Sequence, residues 1–209
     1  MGTKENWKEF TTVIIAALVL GLTVAYKDHD IFYYAATSFL IIITLNVFIK
    51  KLSGYYLETG VRTKFWSWYY FGFRKDFHFK KPVPMVWLPL LLVLFTRGFF
   101  WWLNILEFDV EAKTERVSRR HGLYRFTEVT EWHIAWIIGW ALMANFALAI
   151  IAYIAGFELF AKLSVYFIAW NLIPISGFDG AKLFYASRAF WIISASIAII
   201  VLGWGLTVF

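Results

Sequence analysis

Five stretches of the 209-residue chain are long and apolar enough to cross a bilayer: Phe10–Tyr26, Ile31–Ile49, Trp132–Ile154, Phe157–Ile175 and Ala189–Phe209. The hydrocarbon core of a bilayer is about 30 Å thick and takes roughly 20 helical residues to span. Backbone at that depth must satisfy its own hydrogen bonds, which a helix does within one segment. The chain is therefore expected to be an all-α polytopic membrane protein. Composition agrees: 61% of residues are hydrophobic, 16% are charged and mean hydropathy is +0.64, far from a soluble globular balance. Aromatic residues, 12 Trp among them, gather near segment ends, as an interfacial belt requires. The first apolar stretch has no small-residue cleavage site after it and reads as a retained span. With no Cys, disulfides and thiolate metal sites are excluded. The net charge of +6 comes from loops between apolar runs, where anionic lipid explains it more simply than nucleic acid.

A sixth apolar stretch, 85–108, is long enough to span, but Thr96-Arg97-Gly98 interrupts its centre, and Pro84 and Pro89 break its start. A guanidinium at mid-bilayer costs at least about 2.5–3.5 kcal/mol. A re-entrant hairpin, Met85–Phe95 inward and Phe99–Phe108 outward, keeps Arg97 away from lipid. The positive-inside rule separates the two readings. Six crossings divide the basic residues 11 to 8, leaving Arg97 aside, which is no bias. Five crossings and a hairpin put 17 on the side of the N-terminus, against Lys27 and Lys162 on the other. The expectation is one membrane domain over 1–209 in a cell membrane, multi-pass, with a cytoplasmic N-terminus and an external C-terminus. Residues 50–131 then form a cytoplasmic loop region containing the hairpin. In it, Thr63–Tyr70 reads as strand and the charged stretch Asp109–Thr130 as a hairpin or loop.

The fourth apolar run ends in Asn171-Leu-Ile-Pro174-Ile-Ser-Gly177-Phe-Asp179-Gly180. This N-L-I-P-x-x-x-x-D-G pattern resembles the C-terminal signature of the site-2 proteases, intramembrane zinc metalloproteases whose Asp is the third zinc ligand. Ala141-Leu-Met-Ala-Asn145 is similar to that family's G-P-L-x-N segment, and Gly60, Phe65, Trp68 and Gly72 match the run that follows its metal helix. The resemblance covers roughly Ile31–Phe190 and implies a site-2-protease-like fold with a small sheet after the second helix. It also requires the end of the second helix and Asp179 to share one membrane face, which five crossings provide and six do not.

The family's other two zinc ligands come from H-E-x-x-H, which places both imidazoles on one helix face with a Glu as base between them. No H-E-x-x-H occurs here. The slot falls on Phe48–Leu52, or on Asn46–Lys50 if two residues are inserted, and Lys50 there would repel a cation. His29, His78, His121 and His133 supply no i, i+4 pair and read as solvated or interfacial. The resemblance thus implies a catalytically inactive homologue with no cofactor, binding membrane helices or serving as a subunit of a membrane complex. The alternative is an active metalloendopeptidase with unconventional zinc ligands. The former metal and substrate positions are Asp179, Gly180, Asn171, Pro174, Asn145, Asn46, Lys50 and Lys51. Asp179 is expected to pair with Lys50, Lys51 or Lys182, because a buried lone carboxylate is costly. Asn171 and Pro174 are expected to unwind the fourth span, while Asn145 and Asn171 bond between helices. The partners implied are membrane lipid and other membrane proteins, not nucleic acid.

Overall fold

The computed structural model describes residues 3–70, 78–112 and 129–208. Two long helices, α1 (Thr3–Val24) and α2 (Phe32–Tyr56), form an antiparallel pair. The turn between them is polar, and its Asp28 carboxylate accepts the Asp30 N–H at 3.3 Å. Val13, Ala16, Ala17, Leu20 and Val24 make the buried stripe of α1, at the three- and four-residue spacing of one helix face. Gly21 lies so close to α2 that a Cβ on it would come within 2.8 Å of the Ala36 Cα. Small residues let membrane helices approach in this way.

The second helix runs past its expected end at Ile49 and carries Lys50 and Lys51 into its last two turns. Its buried line Ala35, Ser38, Ile42, Asn46, Lys50, Ser53 keeps helical spacing, so continuing the helix is what turns Lys50 inward. Strand β1 (Thr59–Phe65) follows, then β2 (Ser67–Tyr70) and β3 (His78–Pro84). Helix α3 (Leu88–Phe95), after one 3-10 turn, leads to β4 (Leu106–Ala112). Strand β1 pairs antiparallel with β4, from Thr59↔Ala112 to Phe65↔Leu106. Strand β2 pairs with β3, from Ser67↔Pro84 to Tyr70↔His78. Residues 63–70 are thus extended, and Asp109–Ala112 is strand; residues 113–128, with His121, lie outside the described residues, as does Gly72.

Residues 85–108 form a hairpin of unlike limbs. One limb is α3, and the other has no regular secondary structure over 99–105 before it becomes β4. Both ends meet at Trp66, whose carbonyl accepts the Met85 N–H at 3.0 Å and whose N–H donates to the Ile105 carbonyl at 2.8 Å. The tip, with Arg97 and Gly98 both at positive φ, reaches the α1–α2 turn.

Helix α4 (Glu131–Ile154) packs on α2, and α5 (Glu158–Asn171) returns along α4 after Gly156, which takes φ +81. The 14 residues of α5 span about 21 Å. The fourth apolar run reaches Ile175, but α5 ends at Asn171, and the run unwinds from there through Pro174, as expected of those two residues. The next seven residues are irregular, with Ser176 at φ 47. Short α6 (Asp179–Ala186) and long α7 (Arg188–Val208) complete the chain. Three helical segments among the described residues are long and apolar enough to cross a bilayer: Asn6–Val24, His29–Tyr56 and Glu131–Ile154. The apolar part of α7 described there, Arg188–Gly203, is shorter.

Candidate functional site: a buried lysine–aspartate pair

Two features bring Asp179 to the middle of the fold. The chain leaves α5 at Asn171 and turns back so tightly that a Cβ on Gly180 would fall on the Leu172 and Ile173 carbonyls. That close approach needs glycine. The Trp191 indole N–H then donates to the Leu172 carbonyl at 2.9 Å and ties α7 to the same bend. Asp179 opens α6, and its side chain is 1% exposed.

Its partner is Lys50, whose Nζ lies 2.6 Å from the Asp179 Oδ2 and whose side chain is 7% exposed. Of the three lysines expected there, Lys50 makes the bond. Lys51, on the next position around α2, pairs instead with Glu9 of α1. Glu9 also accepts the Thr63 N–H of β1 at 2.8 Å, so one carboxylate joins α1, α2 and the first sheet. Lys182 donates to the Phe108 carbonyl and lies 3.9 Å from the Asp109 carboxylate. Burial lowers its pKa, against the pull of Asp179 and Asp109.

The Phe108 ring is the hub. Lys50 Nζ sits 4.5 Å from its centroid and Lys182 Nζ 4.2 Å, so two ammonium groups share one aromatic ring. A desolvated cation gains from such a ring. On either side of Phe108 in β4, Glu107 and Asp109 both engage Lys64 of β1, at 3.3 and 2.7 Å. Burial raises the Glu107 pKa, opposed by Lys64. The Asp109 hydrogen bond raises that of Lys64. A Cβ on Gly177 would strike the Glu107 carboxylate, so this strand packs directly against the bend before Asp179.

The asparagines behave differently from the interhelical bonding expected of them. Asn171 donates its amide to Phe167 of its own helix at 2.9 Å. Among the described residues, wholly buried Asn145 has no partner at either amide atom, and the Asn46 amide nitrogen has none. Pro174 lies in the irregular segment and lines an apolar cavity of about 470 Å³ between α5 and α7. Sequence reasoning did not find Phe108, Glu9 or Glu107. The signal for Glu9 was a carboxylate directly before the first apolar run; the other two had none beyond their place in an alternating strand.

Zinc, the metal that the resemblance would bring, does not fit this donor set. The Asp179 carboxylate is engaged by an ammonium that competes for the charge a cation would need. Among the described residues no three His, Cys, Asp or Glu side chains gather to hold a metal ion. His133 hydrogen-bonds to Thr130 at the start of α4. His29 is exposed in the α1–α2 turn. The pair offers neither a Lewis acid nor a free base. What it does is fasten α2 to α6 in a dry setting.

These apolar helices are those of a helical membrane protein. No family model matches the chain, and no solved structure matches it. Over 95 residues, 45% of its length, it is 28% identical to NADH-ubiquinone oxidoreductase chain 5 of Ascaris suum. The matched segment is 17% of that protein, so the chain spans about a sixth of the relative's length. The apolar helices and this likeness together place the chain in a membrane.

Proposed function

We propose that the chain is a site-2-protease-like membrane protein without peptidase activity, in which an ion pair stands where the family holds zinc. The Lys50–Asp179 bridge carries this reading: the lysine comes from the helix that would bear H-E-x-x-H, and the aspartate from the D-G segment. The hairpin supports the five-crossing arrangement, because both its ends bond to Trp66 and so leave from one side. In that arrangement the N-terminus is cytoplasmic, the C-terminus is external, and α5 and α7 complete the five crossings. The protein's role is then to bind membrane helices or to work as a subunit of a membrane complex. The likeness to a chain of NADH-ubiquinone oxidoreductase supports a place among other membrane subunits.

Metal analysis of the purified protein, with Asp179→Ala beside it, tests the reading. No stoichiometric zinc is expected in either, and no cleavage of a membrane-helix substrate by the parent. One zinc per chain that disappears in the variant would instead establish an active metalloendopeptidase with unconventional ligands.

A further inference from the structure

A second site lies where the hairpin tip meets the α1–α2 turn, and it depends neither on the protease resemblance nor on which face is cytoplasmic. The tip is tightly built: the Gly98 N–H donates to the Val93 carbonyl at 2.7 Å, and the Thr96 hydroxyl to the Leu92 carbonyl at 2.7 Å. Gly98 takes φ +77, and a Cβ on it would come within 2.8 Å of the Lys27 Cε and 2.9 Å of its Cγ. The lysine stem therefore rests on Gly98, and Arg97 is the residue before it. Two exposed cations, Lys27 and Arg97, come to adjoining turns although 70 positions separate them in the chain.

Among the described residues, the carboxylates nearby leave both cations free. Asp28 turns an oxygen to the Asp30 N–H, and neither Asp28 nor Asp30 forms an ion pair with Lys27 or Arg97. A groove of about 890 Å³ runs between α1, α2 and α3 and is lined by Tyr26, which precedes Lys27 and also touches Gly98. Leu22, Phe32, Leu90 and Leu94 line it, together with His29 of the α1–α2 turn. Leu22 and Leu94 are each about half exposed, so the groove is open to the lipid around the bundle.

We propose that this groove binds one anionic phospholipid, its phosphate between Lys27 and Arg97 and an acyl chain along the leucines. The end of a membrane-crossing helix is the depth at which headgroups lie, and long basic side chains reach toward them there. A guanidinium matches phosphate geometry with two parallel donors, and an ammonium adds a point charge beside it. A choline headgroup would bring a third positive charge to a site that already has two, which selects against zwitterionic lipid. The site also accounts for Arg97: the hairpin carries it through to the headgroup layer and does not leave it at mid-bilayer.

Nanodiscs containing equal phosphatidylglycerol and phosphatidylcholine, followed by native mass spectrometry of the released protein, test the site. The parent is expected to retain one phosphatidylglycerol per chain in preference to phosphatidylcholine. Lys27→Gln with Arg97→Gln should weaken that retention by about tenfold or more. Leu94→Trp, which fills the groove and keeps both charges, should weaken it too. Rising salt should erode the preference in the parent itself, an arm that needs no variant. Equal retention of the two lipids by the parent would overturn the proposal. So would a preference indifferent to salt, retention unchanged in either variant, or glycerol 3-phosphate without acyl chains binding as well as the lipid.

Discussion

Two lysine–carboxylate pairs of nearly equal length, Lys50–Asp179 and Lys64–Asp109, are not equivalent. Lys50–Asp179 spans 2.6 Å with side chains 7% and 1% exposed; Lys64–Asp109 spans 2.7 Å with side chains 53% and 49% exposed. In the first, water is gone and each ion depends on the other. In the second, solvent already stabilises both charges, so little is lost when they part. Surroundings, and not separation, decide which pair holds the fold together.

Breaking the buried pair from one side gives the largest expected effect. Lys50→Met takes from the buried Asp179 its hydrogen-bonded partner and leaves only the more distant Lys182 charge, a cost of up to about 3–5 kcal/mol that thermal unfolding in detergent would register. Lys50→Met with Asp179→Ala should recover most of that loss, because neither ion is then left without its partner. If the double variant stays as unstable as the single one, the pair is not the unit that matters.

The bend that delivers Asp179 comes next in size. Gly180→Ala drives a Cβ into the Leu172 and Ile173 carbonyls, and displacing backbone there should cost about 1–3 kcal/mol. The same shift breaks the Trp191 bond to Leu172, so the tryptophan emission should change along with the melting temperature. An unchanged melting temperature would mean that the two segments are not packed together in this way.

The exposed pair gives the smallest effect. Asp109→Asn, which leaves Lys64 to the nearly buried Glu107, should cost about 0.2–1 kcal/mol, falling further in high salt. Its pH dependence has a definite sign. The folded pKa of Lys64 is raised, mainly by the Asp109 bond, so its contribution is complete below the ordinary lysine value of 10.5 and fades as pH climbs through the folded value. The stability difference between parent and variant should thus stay flat up to 10.5 and shrink above it. A difference that grows there would reverse the assignment.

Helix length and apolar run length are nearly the same information in a bilayer, which is why α1, α2 and α4 are legible in the amino-acid sequence alone. Their ends are not. Lys50 and Lys51 look like a stop, yet α2 continues through them because each finds a carboxylate, Asp179 and Glu9. The fourth run looks long enough to cross, but its last residues go to a bend set by the Gly180 approach and not by hydropathy. A lysine beside Asp179 follows from the cost of a lone buried carboxylate. Which lysine it is depends on helix phase, and that needs the true end of α2. Phe108 could not be found from sequence, since its two ammonium neighbours come from residues 50 and 182, brought together only by tertiary packing.

The clasp at Trp66 has a consequence for biogenesis. Residues 85–105 emerge from the ribosome as an apolar run that insertion machinery could treat as one more crossing. Both backbone groups that close the run belong to a residue synthesised earlier. A crossing would carry Ile105 to the far face and leave the Trp66 N–H, in low-dielectric surroundings, without its acceptor. The two bonds to Trp66 join the ends of this segment, so main-chain pairing bears on a path that hydropathy alone leaves open.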